Sequence, residues 1–435
     1  MPIPASLPFA FLLAIPASLL GSVTLAPSAF AQPAPLTSAQ KPALPSAAPT
    51  SSAVGGPESK FNFDESRVAP YELPSVFGTP DGDRDPTLEE WKARRAVILN
   101  HFREQVYGRS PGRPAKLRFQ PVRVEPKAMD GAATMKQIAI VSRHAGRTHR
   151  FVLTLMLPNA AAGPVPVFLL LNHRSGDHID PTREKRSPFW PAEEMIARGY
   201  GVVALQTWTV SPDHRDRYRK GAIEMFEGTT EGPRPANAWG AVAAWSWGAS
   251  RALDYLQTDS RVDGRKVAVV GHSRGGKAAL WAAAEDPRFA MAISNNSGEG
   301  GASLARRNFG ETIEKVNEGF PHWFAGNYKS YAGREDALPV DQHMLMALVA
   351  PRPLYVTSAE NDLWSDPKGE FLSLVHASPA YGLWQQPPMK AEAMPDLDEP
   401  VIFGNRGYHI RSGSHGLTAY DWERFADFAD RVWAK

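Results

Sequence analysis

Residues 266–284 read KVAVVGHSRGGKAALWAAA, and the fold is decided in this stretch. Lys266–Val270 is an apolar run without polar alternation, as a parallel strand covered on both faces requires. Gly271-His272-Ser273-Arg274-Gly275 follows directly, and a helical run from Gly276 to Ala284 follows that. GxSxG alone is often no more than a glycine turn. Set between a buried strand and a helix, it reads as the elbow that presents a nucleophilic serine at the carboxyl end of a sheet. The flanking glycines let the backbone turn sharply and keep side chains away from Ser273.

Upstream of the elbow, Gln137–Ser142 and Phe151–Leu157 read as a β pair, and Val165–Leu171 and Gly201–Leu205 as buried strands. Downstream, Ala290–Ser294 and Leu354–Ser358 have the same character. Helical patterns lie between them. Val242, Trp245, Ala249, Leu253 and Leu256 recur at three- and four-residue steps on one face, and Tyr420–Trp433 forms the last helix. Alternating strands and helices over this length predict an α/β protein: an α/β-hydrolase fold, a three-layer αβα sandwich on a mainly parallel central sheet. Phe61–Arg118 reads as an N-terminal helical extension wrapping the sheet, which makes residues 60–435 a single domain.

A serine nucleophile needs a base and an orienting acid, and in this fold the acid follows the serine and the histidine comes last. His415 lies in Ser412-Gly413-Ser414-His415-Gly416, a glycine-rich loop before the final helix, where the base belongs. His409 is its nearest competitor, in an extended segment. Three carboxylates follow Leu354–Ser358. Glu360 is too close to the strand end, and Asp366 before Pro367 reads as a turn residue. Asp362 has the strand-then-loop position of the acid and is preferred.

The remaining composition narrows the function class. With 48 basic and 46 acidic side chains the formal net charge is +2, which gives no case for a nucleic-acid binder. Cysteine is absent, excluding a disulfide framework, thiolate zinc sites, iron–sulfur clusters and a cysteine nucleophile. Residues 1–31 carry the apolar stretch Pro8–Leu20 and small residues at Ala29 and Ala31, and read as a signal peptide cleaved after Ala31. Residues 32–59, rich in Ala, Pro and Ser, read as a disordered tether. The expectation is therefore a secreted or periplasmic protein with no membrane association once the signal is removed. His178, Asp180, Asp213, His214 and Asp216 lack metal-ligand spacing and read as polar loop residues. Asp341 reads as a helix cap.

Longer stretches are more specific than the elbow. GHSRGGKAALWAAAEDPRFAMAISNNSGEGGASLARRNFGETI (271–313), FPHWF (320–324), LPVDQHMLMALVAPRPLYVTSAENDLWSDPKGEF (338–371) and HIRSGSH (409–415) resemble the bacterial branch of the glucuronoyl esterases, carbohydrate esterase family 15. The similarity begins at about Tyr71, with ELPSVFG and VYGRSPGRP, and runs to the C-terminus. The resemblance implies hydrolysis of the ester between (4-O-methyl)glucuronic acid of glucuronoxylan and a lignin alcohol, with no metal; a monomer without a cofactor is expected.

By the same resemblance Ser273 is the nucleophile, His415 the base and Asp362 the acid found after the seventh strand in bacterial members. Fungal members place a glutamate after the sixth strand instead, in a motif ending ESG. Here the motif is Asn295-Asn296-Ser297-Gly298, and Asn296 can carry no charge. Fungal members also bond a cysteine beside the nucleophile to the histidine loop; His272 stands there, so the loop is expected to be held by packing alone. Arg274 is implied as the oxyanion donor, through its backbone N–H and its guanidinium. Lys277, one helical turn after Ser273 on the same face, is implied in binding sugar hydroxyls together with Glu311 and Trp364, and Glu318 is a further candidate. Two alternatives remain: an esterase of this fold acting on acetylated xylan, and a non-catalytic carbohydrate-binding descendant. The complete set of Ser273, His415 and Asp362 counts against the binder, and Lys277 with Glu311 counts against the acetyl esterase.

Overall fold

The strands, in chain order, are β1 (Lys116–Ala128), β2 (Ala133–His144), β3 (Arg147–Pro158), β4 (Val165–Asn172), β5 (Gly201–Gln206), β6 (Val262–His272), β7 (Met291–Asn295), β8 (Leu354–Ala359), β9 (Val401–Phe403) and β10 (Arg406–Arg411). They form a single sheet in the order β1-β2-β3-β5-β4-β6-β7-β8-β10-β9. From β5 to β10 every neighbouring pair is parallel. β1, β2 and β3 continue it antiparallel at one edge, and β9 is antiparallel at the other. This computed structural model describes residues 61–78, 86–229, 232–389 and 393–433, so the expected signal peptide and tether lie outside the described residues.

The helices are α1 (Leu88–Gln105), α2 (Ala192–Ala197), α3 (Ala222–Glu227), α4 (Ala241–Leu256), α5 (Arg274–Glu285), α6 (Ile313–Gly319), α7 (Gln342–Ala347), α8 (Pro367–His376), α9 (Ser378–Gly382) and α10 (Ala419–Trp433). Side-chain alternation along β6 sends its residues to two different cores. Val267 and Val269 belong to one buried cluster with Trp245 and Leu253 of α4, Trp281 of α5 and Leu345 of α7. Ala268 and Val270 face the opposite way, into Met195 of α2 and Trp422, Phe425 and Phe428 of α10. The result is the expected three-layer sandwich, with the central strands buried on both faces.

The N-terminal extension departs from its sequence reading. It is helical over α1, which opens on a capping box between Thr87 and Glu90. Lys116–Arg118, however, already belongs to β1, a strand the sequence reading missed. β1 is the sheet edge, most of its residues are exposed, and it carries Pro121 and Pro126 with a register shift between Pro121 and Arg123. Proline is tolerated at an edge, and exposure removes the apolar signal by which buried strands are recognised. β2 and β3 likewise run past the predicted pair at both ends: toward their hairpin the added side chains meet solvent, whereas Ala133–Met135 and Pro158 at the other end are buried.

α1 is integral to the sandwich. Trp91, Ile98 and Phe102 point into the core, and Arg95 Nη2 donates to Leu348 O (3.0 Å) and Ala284 O (2.9 Å), tying α1 to the ends of α7 and α5. Ile98 is fully buried. Ile98→Ala should therefore cost about 2–5 kcal/mol, and urea unfolding should remain a single transition displaced to lower denaturant. An early transition confined to the N-terminal arm would show instead that the arm folds apart from the sheet.

Candidate active site

The elbow is built by close backbone approach. A Cβ at Gly271 would lie 2.0 Å from Gly275 O, and one at Gly275 would lie 2.6 Å from Leu171 O, so neither position accepts a side chain. Ser273 itself sits at φ 56, ψ −130, and its N–H donates to Asn295 O (2.9 Å). α5 starts at the next residue, so Ser273 stands at the positive end of a helix that is buried along most of its length.

β8 and β10 lead into the loops that carry Asp362 and His415. His415 Nδ1 and Asp362 Oδ2 are 2.6 Å apart, which leaves Nε2 as the free nitrogen of the imidazole. The same carboxylate oxygen accepts from Asn296 Nδ2 at 2.8 Å. Burial works to raise the Asp362 carboxyl, but the charge of His415 and hydrogen bonds from His415, Ser365 and Asn296 outweigh it and hold it below the ordinary range. The other two carboxylates of this loop are occupied elsewhere. Glu360 accepts from Gly413 N (3.1 Å), and Asp366 caps α8 while pairing with Arg307 at 2.8 Å.

The expectation that packing alone holds the histidine loop is corrected by its hydrogen bonds. Arg411 donates to three carbonyls of the loop, Ser412 O (2.8 Å), Ser414 O (2.9 Å) and Gly416 O (2.8 Å), and its own Nε is anchored on Asp421 at 3.0 Å. The bond from Gly413 N to Glu360 adds a tie to the acid loop. His409, the competing histidine, is fully buried between Asp421 (3.0 Å) and the Tyr355 hydroxyl (3.1 Å). His272 packs its ring 4.4 Å from that of His415. Its Nδ1 meets Asn295 Oδ1 at 2.6 Å and its Nε2 faces Arg174 Nη2 at 3.3 Å. Burial, reinforced by the neighbouring cations, keeps His272 and His173 neutral well below the usual imidazole range.

Arg274 is not a loose surface side chain. Its Nη1 donates to Asp213 Oδ2 at 2.5 Å, and the guanidinium lies over the rings of Trp323 and Phe320. Asp213 lies in a loop, as its sequence context predicts, but its carboxylate is committed to the site and not to solvent. Its other oxygen meets His322 Nε2 (2.9 Å) and Trp323 Nε1 (2.8 Å). These contacts and the Arg274 charge overcome the effect of burial and hold its carboxyl well below the usual range. No spacing rule links residues this far apart in the chain. By contrast, Asp341 caps α7 as expected, and among the described residues no cluster of three or more His, Asp or Glu could hold a metal ion.

Lys277 and Glu311 form a buried pair, Nζ to Oε2 at 2.6 Å, and Lys277 also donates to Glu299 O. Glu311 and Trp364 are brought together by a backbone bond, Glu311 N to Trp364 O at 2.8 Å. The half-buried Trp364 indole meets the Phe61 ring edge-on, centroids 5.1 Å apart. Glu318 points to solvent and pairs with Lys315 at 2.9 Å.

A family model described as "Glucuronyl esterase, fungi" matches residues 140–384. The carbohydrate esterase MZ0003, from an unknown prokaryotic organism, is 37% identical over 399 residues, which cover 85% of this chain and 91% of that protein. A 4-O-methyl-glucuronoyl methylesterase of Hypocrea jecorina is 27% identical over 318 residues, covering 71% of this chain and 61% of the relative. The solved structure of a glucuronoyl esterase from Solibacter usitatus superposes with a TM-score of 0.79 at 42% identity, over 85% of this chain and all of that one. An elbow serine between a parallel interior strand and a buried helix, a histidine–aspartate pair on loops at the same end of the sheet, and this similarity across most of the chain agree: the protein belongs to the glucuronoyl esterases, the α/β-hydrolase carboxylic ester hydrolases of carbohydrate esterase family 15.

Proposed function

We propose that this enzyme cleaves the ester between the carboxyl of (4-O-methyl)glucuronic acid on glucuronoxylan and a lignin alcohol, through an acyl-enzyme on Ser273. The observation that carries this reading is the 2.6 Å contact of His415 with Asp362, on loops that follow the carboxyl ends of β10 and β8, the same end of the parallel strands at which β6 carries the serine elbow. Ser273 Oγ attacks the ester carbonyl while His415 Nε2 takes its proton. The tetrahedral intermediate collapses, and the same proton leaves with the alcohol. Water, deprotonated by His415, then attacks the glucuronoyl-serine and releases the acid. Asp362 fixes the Nδ1–H tautomer and stabilises the imidazolium. The Arg274 N–H and guanidinium receive the oxyanion, a contribution on the order of 3 kcal/mol. Lys277, Glu311 and Trp364 bind the sugar. The name of the Hypocrea jecorina relative supports a methylglucuronoyl ester as the acyl part. Export through residues 1–31 would bring the enzyme to its polymer as a monomer.

Parallel hydrolysis of benzyl glucuronate and acetylated xylan tests the substrate class: release of benzyl alcohol in preference to acetate is expected, and the reverse preference would replace this reading with an acetyl esterase. Ser273→Ala should abolish turnover while leaving sugar binding, and activity within about tenfold of the parent would remove Ser273 from the mechanism.

Asp362→Asn should lower kcat by about 10⁴, since the amide cannot hold the productive tautomer. Glu360→Gln keeps an oxygen for Gly413 N–H and should stay within about threefold. A severe loss only in the Glu360 variant would transfer the acid role. Arg274→Ala should lower kcat by about 10²–10³ with little change in KM, whereas a rise in KM alone would make Arg274 a ground-state contact.

A further inference from the structure

The guanidinium of Arg274 is fixed on two sides. Its Nη1 edge is bound to Asp213, and its guanidinium carbon lies 4.7 Å from the Trp323 ring centroid and 5.1 Å from that of Phe320. Those two rings are themselves stacked, 3.8 Å apart and 3° from parallel. Behind them, His322 O accepts from Ala241 N (2.9 Å) and Trp323 O from Val242 N (3.2 Å), so the loop that holds Asp213 is locked onto the first turn of α4.

The Nε donor of the guanidinium is left over. Arg274 Nε is buried and has no hydrogen-bond partner. A buried N–H without an acceptor is costly and rare, and this one belongs to the residue directly after the nucleophile. The Asp213 carboxylate can only accept, so His322 Nε2 carries the proton toward it and Asp213 accepts from three donors, while His322 Nδ1 is buried without a partner. Asp213 is thus a carboxylate whose hydrogen bonds are all directed at fixing other groups.

We infer that Asp213 is a positioning residue for the ester hydrolysis: it holds the Arg274 guanidinium by its Nη1 edge, on the Phe320–Trp323 stack, so that the unpartnered Nε–H stays free for the oxyanion. The inference rests on the assignment of Arg274 as oxyanion donor. Asp213 touches no reacting atom and acts only through the arginine. With the charge at 213 removed, the guanidinium loses the contact that selects one orientation and turns toward other acceptors, and the loss falls on the transition state and not on the bound ester.

The test is a double-mutant cycle on benzyl glucuronate hydrolysis with Asp213→Asn, Arg274→Ala and the double variant. Asp213→Asn should lower kcat by about 10- to 100-fold with KM within about twofold, and should cost less than about twofold when Arg274 is already alanine. Asp213→Glu should restore part of the loss. An equal loss in both backgrounds, or a loss carried by KM, overturns the inference while leaving the Arg274 assignment intact. If Arg274→Ala leaves kcat unchanged, the oxyanion assignment itself fails, and the inference with it. Should Asp213→Asn not fold, Trp323→Phe removes one donor from Asp213 and keeps the ring stack. It should lower kcat about two- to fivefold only in the presence of Arg274, and an unchanged kcat overturns the inference.

Discussion

Ser273 is held in a backbone conformation that costs a residue with a side chain on the order of 1–3 kcal/mol, and the rest of the structure depends on that turn being sustained. Three constraints sustain it. β6 lies in the interior of the sheet with strands on both sides, α5 is buried on nearly every face, and the glycines at 271 and 275 bring their backbones too close for any side chain. Once the turn is fixed, strand order settles the other distances. β8 is two positions from β6 and β10 is three, or roughly 10 and 14 Å at the normal strand spacing. The loops bearing Asp362 and His415 must reach back across that gap, and this is why both are tethered so heavily.

The tethers replace what a covalent link would do. Arg411 holds three carbonyls of the histidine loop, and Asp421 holds Arg411 through a side chain at the start of α10. Glu360, two residues before the acid, grips the same loop from β8. Asp362 and His415 are therefore positioned by one connected set of hydrogen bonds, and a displacement of either loop strains the other.

What was legible in the sequence was local. A buried strand, a glycine turn and an alanine-rich helix are contiguous, so the elbow and the parallel core could be read from pattern, and the loop positions of Asp362 and His415 followed from the fold's own order. Long-range partnerships carry no such pattern. Asp213 and Arg274 are 61 residues apart, and nothing around Asp213 distinguishes it from Asp216, which remains an exposed loop acid. Arg411 was visible inside HIRSGSH, yet only the folded loop reveals that its guanidinium reaches forward to residues 412–416. β1 was hidden for a different reason: an exposed edge strand with two prolines has neither the apolar run nor the alternation that marks the interior strands.

Every cation packed into the site has a carboxylate of its own or a neutral acceptor: Arg274 has Asp213, Lys277 has Glu311, Arg307 has Asp366, and Arg174 faces the ring of His272. Buried pairs contribute little net stability, but they fix charge in place and make it expensive to move. In the proposed mechanism the His415–Asp362 pair needs the opposite treatment, because His415 gains and loses a proton in each half-reaction. The neutral rings of His272 and His173 beside it add no charge that would oppose the imidazolium. Asn296 does the equivalent for the acid. It donates to Asp362 Oδ2 and brings no second negative charge next to it, whereas two carboxylates sharing that pocket would push one of them to protonate. The amide at 296 is therefore physically coupled to the aspartate at 362: with the charge carried after β8, the position after β7 serves best as a neutral donor that keeps that charge ionised and aimed at His415.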